Sequence, residues 1–188
     1  MARRCIAWSS LSLFLLVCAG ASADSWAPPR VQVVASGSGE QLVRVEPARR
    51  GADAPRAVRY RHDAAGERYV KDATFALPHR TAPVFVLLTD DGTLVTLDEW
   101  AQVGRGPVLL VHDAAGKQRH RYTLAGLLGE TAAAAAPASV SSTWWRCGEP
   151  LLISGGHVLR VTIYDEGELR VDLRDGSVDY RPGKGRCR

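Results

Sequence analysis

The sequence predicts a mainly β protein, an antiparallel meander of hairpins that forms a twisted sheet or a sandwich. Two observations carry this reading. From Trp26 onward apolar and polar residues alternate with a period of two, and long stretches of helical period are missing. Turn signals built on Asp and Gly interrupt the alternation at nearly regular steps. Composition sets the outer bounds. Of 188 residues 46% are hydrophobic, 23% charged and 7% aromatic, which excludes a disordered, collagen-like or multi-pass membrane chain. The length also excludes a large multidomain enzyme.

Residues 1–23 read as a secretory signal peptide. Arg3 and Arg4 form a positive n-region, Ile6 to Val17 is an apolar stretch rich in Leu, and Ala21-Ser22-Ala23 supplies the small-x-small pattern that signal peptidase accepts. Cleavage between Ala23 and Asp24 would leave about 165 residues, enough to bury roughly 70% of the unfolded surface. The apolar run is too short and too interrupted by Ser for a spanning helix of about 20 residues, with retention as an anchor as the alternative. The expectation is therefore an exported protein, periplasmic or extracellular, with no transmembrane span in the mature chain.

Cysteine usage agrees. Cys5 and Cys18 leave with the signal, and Cys147 and Cys187 remain as one expected disulfide. Closing a loop of about 40 residues contributes roughly 4 kcal/mol in the chain-entropy model. The bond would pin the basic tail from Arg181 to Arg188 onto the segment containing Trp144 and Trp145. Neither cysteine has a CxxC partner or a His at ligand spacing, so a zinc or redox site is not expected. The formal charge of +4 falls to +2 once Arg3 and Arg4 are removed, which is no nucleic-acid footprint.

The hairpins follow in order. Gln41 to Val45 alternates after the turn Ser36-Gly37-Ser38-Gly39. Val58 to Arg61 runs through His62-Asp63-Ala64-Ala65-Gly66 into Glu67 to Phe75. Val84 to Leu88 runs through Thr89-Asp90-Asp91-Gly92 into Thr93 to Leu97. Val108 to Val111 runs through His112-Asp113-Ala114-Ala115-Gly116 into Lys117 to Leu124. In Asp-Ala-Ala-Gly the Asp side chain caps the turn's own amides and the Gly takes the positive φ that a type I turn plus bulge demands. Residues 24–128 thus form a hairpin-repeat region. Residues 129–143, with the Ala132–Ala136 run and Pro137, read as an Ala-rich linker or a short helix within 124–136 that ends at the Pro. Residues 144–188 add a C-terminal β segment of the same domain. There Val158 to Ile163 turns at Asp165-Glu166-Gly167, and Leu169 to Leu173 turns at Asp175-Gly176 into Val178-Asp179-Tyr180 before the basic tail.

Turn glycines at 39, 66, 92 and 116 are spaced by 27, 26 and 24 residues, and the string HDAAG recurs after 50. Two hairpins per 50 residues is the size of one β-propeller blade. The stretch from Pro83 to Leu128 reads Asp91-Gly92-Thr93-Leu94-Val95-Thr96-Leu97-Asp98-Glu99-Trp100, then Gly104, then Asp113 to Gly116. It resembles blades of secreted propeller repeats of the NHL or YVTN kind and segments of uncharacterised bacterial exported proteins. The resemblance covers about a quarter of the chain and implies a propeller-blade-like fold. At that repeat length about 165 residues give three blades, short of the four to eight of closed rings.

No catalytic constellation is visible. His62 and His112 precede their turn Asp and are expected to be solvated, while His79 and His157 have no partner readable from sequence. HExxH, HxH and EF-hand patterns are missing. Ser38 in Gly-Ser-Gly lacks the strand-to-helix nucleophile elbow. The adjacent acids Asp90-Asp91, Asp98-Glu99 and Asp165-Glu166 do not face each other across a cleft as a glycosidase requires. No phosphate loop is present, and no cofactor is expected. Aromatics and cations supply the remaining candidates for a ligand or partner surface: Trp144, Trp145, Trp100, Arg181, Lys184 and Arg186. Adjacent Trp144 and Trp145 point to opposite faces in a strand, so one can sit in the core while the other is exposed. The expected function is a non-enzymatic protein-interaction module of the cell envelope or extracellular space. An envelope polysaccharide-binding module is the alternative, and a small glycan hydrolase the second alternative.

Overall fold

The computed structural model describes residues 27–49 and 54–187. The signal peptide with its Ala23–Asp24 cleavage point lies outside the described residues, as does Arg188. The chain between is mainly β. A first sheet holds β1 (Gln32–Ala35), β2 (Gln41–Glu46), β3 (Arg56–Asp63) and β4 (Arg68–Ala76). A second holds β5 (Pro83–Leu88), β6 (Leu94–Glu99), β7 (Pro107–His112) and β8 (Gln118–Thr123). Two short helices follow, α1 (Leu124–Leu128) and α2 (Glu130–Ala135). The third sheet holds β9 (Arg146–Ile153), β10 (Val158–Ile163), β11 (Glu168–Asp172) and β12 (Val178–Arg181). Within each sheet every strand pairs antiparallel with its sequence neighbour, so the chain is three successive four-stranded meanders.

Hairpin alternation explains why the three sheets pack as layers. Val43, Val45, Ala57 and Leu77 of the first sheet and its exit segment pack on Val86, Leu88 and Leu94 of the second. The opposite face of the second sheet, through Val95, Leu97, Leu109 and Val111, packs on Leu159, Val161, Ile163, Leu169 and Val171 of the third. The second sheet is therefore covered on both sides, which is why β6 and β7 read as nearly continuous apolar runs rather than as alternation. Burying an aliphatic side chain completely contributes about 1.5–3 kcal/mol, so these two interfaces dominate the stability of the fold.

Between the second and third sheets the chain forms two short helices where the sequence predicted a linker or one helix. Thr123 caps α1 by accepting the Gly126 amide at 3.1 Å. Gly129, at φ 81°, then breaks the helical path, and α2 ends at Ala136, immediately before Pro137. Leu124, Leu127 and Leu128 are buried and close the end of the core shared by the second and third sheets.

The two HDAAG strings fold differently, which corrects one expectation. Gly116 takes the positive φ, at 87°, and Asp113 accepts the amides of Ala115 at 3.0 Å and Lys117 at 2.9 Å, as the turn chemistry predicts. Gly66 does not; the left-handed residue of its turn is Glu67, at φ 47°. The reason is register. Asp63 pairs directly with Arg68, which leaves a four-residue loop whose last position carries the turn. A side chain at Gly116 would collide with the Phe75 ring, whereas one at Gly66 would meet only the ends of Asp63 and Arg68. Gly116→Ala is expected to cost about 2–4 kcal/mol and Gly66→Ala under about 1 kcal/mol in urea denaturation; equal costs would show that the two turns are interchangeable.

Candidate functional site

The second and third sheets are joined by one carboxylate. Asp98 sits near the end of β6 with φ 58° and is fully buried. Strand alternation would place it on the side of Leu94 and Thr96, facing the first sheet. The left-handed backbone, which Asp tolerates better than most residues, turns it the other way. Its Oδ1 accepts the Gly104 amide at 2.9 Å and the Trp145 indole N–H at 2.8 Å, and its Oδ2 accepts the Arg146 Nε–H at 2.9 Å. The Arg146 guanidinium in turn lies 4.2 Å from the centre of the Phe85 ring on β5. Glu99, the next residue, is spent on the connection from the first sheet, accepting the amides of Arg80 at 2.7 Å and Thr81 at 2.9 Å. The adjacent acids thus fix neighbouring layers.

This arrangement divides the predicted aromatic surface. Trp145 is fully buried, while Trp144 is 56% exposed. Trp100 is half-buried, its indole N–H donating to the Ala27 carbonyl at 2.9 Å. Sequence reasoning missed Val140, which is 95% exposed on the loop that leads to Trp144. That loop is braced: Ser139 and Thr143 donate their amides to Ser142 and Val103, and Trp144 donates its own to Pro137, at 2.7–2.8 Å. The Arg105 guanidinium also donates to the Ser139 carbonyl at 2.8 Å.

The Cys147–Cys187 disulfide forms, with the two Cα atoms 5.7 Å apart. It holds the tail against the turn between β10 and β11, where the amides of Gly185 and Cys187 donate to Asp165 and Tyr164. Lys184 and Arg186 stay exposed beside it. Because Cys147 lies three residues after Trp144, the bond brings these cations to the same end of the molecule as Trp144. Arg181 ends β12 opposite Glu168, beside the same turn, and its side chain pairs with Asp179 at 3.0 Å.

The histidines hold a correction. His62 stays partly exposed at its hairpin end, 5.4 Å between its ring centre and that of Tyr69. His112, expected to be solvated, is 1% exposed, because β7 is covered on both faces and Phe75 of the first sheet lies over it at 6.1 Å between ring centres. His79 is buried too, and neither Nδ1 finds a hydrogen-bond partner. Burial pushes the His79 imidazole down to about 4, against the attraction of Glu99 and with help from His112 and Arg121. His112 is likewise lowered by burial, against Asp113.

A cleft of about 400 Å³ opens between the hairpin tips of the second and third sheets. Asp91, Asp113, Arg119, His157 and Arg174 line it together with Thr93. Among the described residues no three His, Cys, Asp or Glu side chains gather as a metal would require.

No protein-family model and no curated protein matches the chain. Its functional reading therefore rests on its own geometry.

Two outcomes test this account of the site. Asp98→Ala strips the buried Arg146 and Trp145 of their acceptor and is expected to cost about 3–5 kcal/mol in denaturant unfolding, whereas a cost under about 1 kcal/mol would mean that the carboxylate does not join the sheets. The second concerns pH. A histidine whose folded pKa is depressed binds protons more readily unfolded, so the stability is intact above pH 6.5 and drains as pH falls toward 4. His79 accounts for about 3 kcal/mol of that loss at 1.36 kcal/mol per unit. His79→Gln should flatten the stability profile across this window.

Proposed function

We propose that this chain is a non-enzymatic protein-interaction module of the cell envelope or extracellular space, and that it engages its partner through the loop carrying Val140 and Trp144. The single observation behind this reading is the exposure of these two apolar side chains on a braced loop. An exposed Trp presented without conformational freedom is the residue type on which interfaces concentrate binding energy, because its large area is buried at little entropic cost. Arg105 is tied to this loop, and Lys184 and Arg186 lie exposed on the tail that the disulfide fixes to β9, which suits a partner whose pocket has an acidic rim. The export signal read from residues 1–23 and the disulfide support an oxidising compartment as the place of work. No described helix is long and apolar enough to cross a membrane.

The experiment is in-cell photo-cross-linking from a reactive residue placed at Val140, with mass spectrometry of the product and binding measured on purified proteins. One stoichiometric partner is expected, with Trp144→Ala weakening it more than tenfold and Val140→Asp comparably. Binding unchanged in both variants, or no adduct from this position, would overturn the reading.

A further inference from the structure

At the hairpin tips of the second and third sheets most carboxylate oxygens are engaged within their own turns, while the arginines keep donors. Asp91 Oδ1 accepts from the Thr93 amide at 3.0 Å and from the Thr89 hydroxyl. Asp113 Oδ1 holds the amides of Ala115 and Lys117, and its Oδ2 faces the Arg119 Nε at 3.4 Å. Asp172 accepts the Arg174 amide at 2.8 Å and the Arg174 side chain through Nε at 3.2 Å and a terminal nitrogen at 2.9 Å. These carboxylates are built into their turns. Partial burial pushes Asp91 up, but its hydrogen bonds outweigh this and hold it below the ordinary value, and the bonds from Arg174 bring Asp172 down to about 2.

The cations have donors left over. Among the described residues Arg119 is tethered only through Nε and Arg174 keeps one terminal nitrogen without an acceptor, and neither side chain is buried. Both line the cleft of about 400 Å³, as do Thr93 and His157, the latter beside Arg174 through the bond from the Leu173 amide to its carbonyl. A second hollow of about 370 Å³ shares Asp113, Arg119 and Arg174 with the first and adds Lys117 and His120. The volume is that of a small-ligand site. Its apolar side chains are Ala114, Ala115 and Leu173, and no Phe, Tyr or Trp is among the lining residues.

From this surplus of donors we infer that the cleft between the second and third sheets binds a carboxylate-bearing sugar unit, its carboxylate held between Arg119 and Arg174 and its hydroxyls facing Thr93 and His157. Guanidinium groups recognise carboxylates through paired N–H donors, and an anchored guanidinium loses little freedom on doing so. The cleft lies on the hairpin tips, apart from the loop of Val140 and Trp144, so the two readings stand or fall separately.

Trigalacturonic acid is the probe, titrated by calorimetry and followed by the ring signals of His157 in NMR spectra. Saturable binding is expected, with the His157 signals shifting. Arg119→Gln and Arg174→Gln should each weaken it at least tenfold, and both sites are exposed enough for the variants to fold. Lys184→Gln with Arg186→Gln should leave it unchanged, as should Trp144→Ala. The fully methyl-esterified trisaccharide, which lacks the charge, should not bind. Acetate competing as well as the trisaccharide would overturn the sugar assignment, leaving a bare carboxylate site. No binding up to about 10 mM, a ceiling that corresponds to a negligible affinity, or binding indifferent to both arginine substitutions, would overturn the proposal altogether.

Discussion

Everything about how the second and third layers meet depends on the burial of one charge. A carboxylate taken out of water is tolerable only when its lone pairs are filled, and Asp98 fills them with three donors from two segments: the Gly104 amide in the loop before β7, and the Trp145 indole and Arg146 guanidinium where β9 begins. Those donors belong to chain stretches more than forty residues apart, so the carboxylate dictates where the third sheet begins relative to the second. It can do so only because the backbone at Asp98 is left-handed. The pairing of β5 with β6 skips this position without a change of register, passing from Pro83–Glu99 to Phe85–Leu97, and the left-handed backbone there is the physical means by which a residue due to face the first sheet faces the third.

Much of the fold was legible, and the reasons for the rest are local. Hairpins whose turns carry Asp and Gly announced themselves, and ten of the twelve strands were readable as strand runs. β1 escaped because it is four residues long and ends at a Ser-Gly turn whose preceding strand has little polar contrast. β9 escaped because Gly148 and Pro150 interrupt it, and the structure accommodates both by a shift in its register with β10. The covered faces of β7 also hid the fate of His112: a histidine beside a turn Asp reads as solvated unless one knows that a second sheet lies over it. At the candidate surface the sequence identified Trp144, Lys184 and Arg186 by residue type. Which of two neighbouring tryptophans would be exposed was decided by Asp98, forty-seven residues away, and no local pattern encodes that. Val140 carried no signal because a single Val among serines is ordinary in a loop.

The two end layers differ in a way that follows from the same alternation. Outward positions of the third sheet carry Arg160, Thr162, Glu168 and Arg170, with Arg170 and Glu168 paired at 2.6 Å, so this face is mainly polar, although Leu151 opposite Arg160 is exposed on it. The first sheet turns Val33, Leu42 and Tyr60 outward, and Val33 is 58% exposed. A layered stack with one polar end and one more apolar end has a direction, and the disulfide reinforces it by tying the C-terminal tail to the third sheet alone.

Asp at the start of a tight turn is chosen for geometry, since its side chain replaces the backbone acceptors that a sharp reversal loses. Each Asp so used is an acceptor withdrawn from the surface, because its oxygens already hold amide protons. A hairpin-rich chain whose cations are mostly arginines, as here, therefore gathers guanidinium groups beside acids that cannot satisfy them completely. Asp113 with Arg119 and Asp172 with Arg174 are two such pairs, one from each of the layers that Asp98 joins, and both guanidinium groups line one cleft. Stability and recognition then share a cause: the residues that close the turns leave the donors free, and the buried carboxylate at the far end of the strands joins the layers that carry those donors.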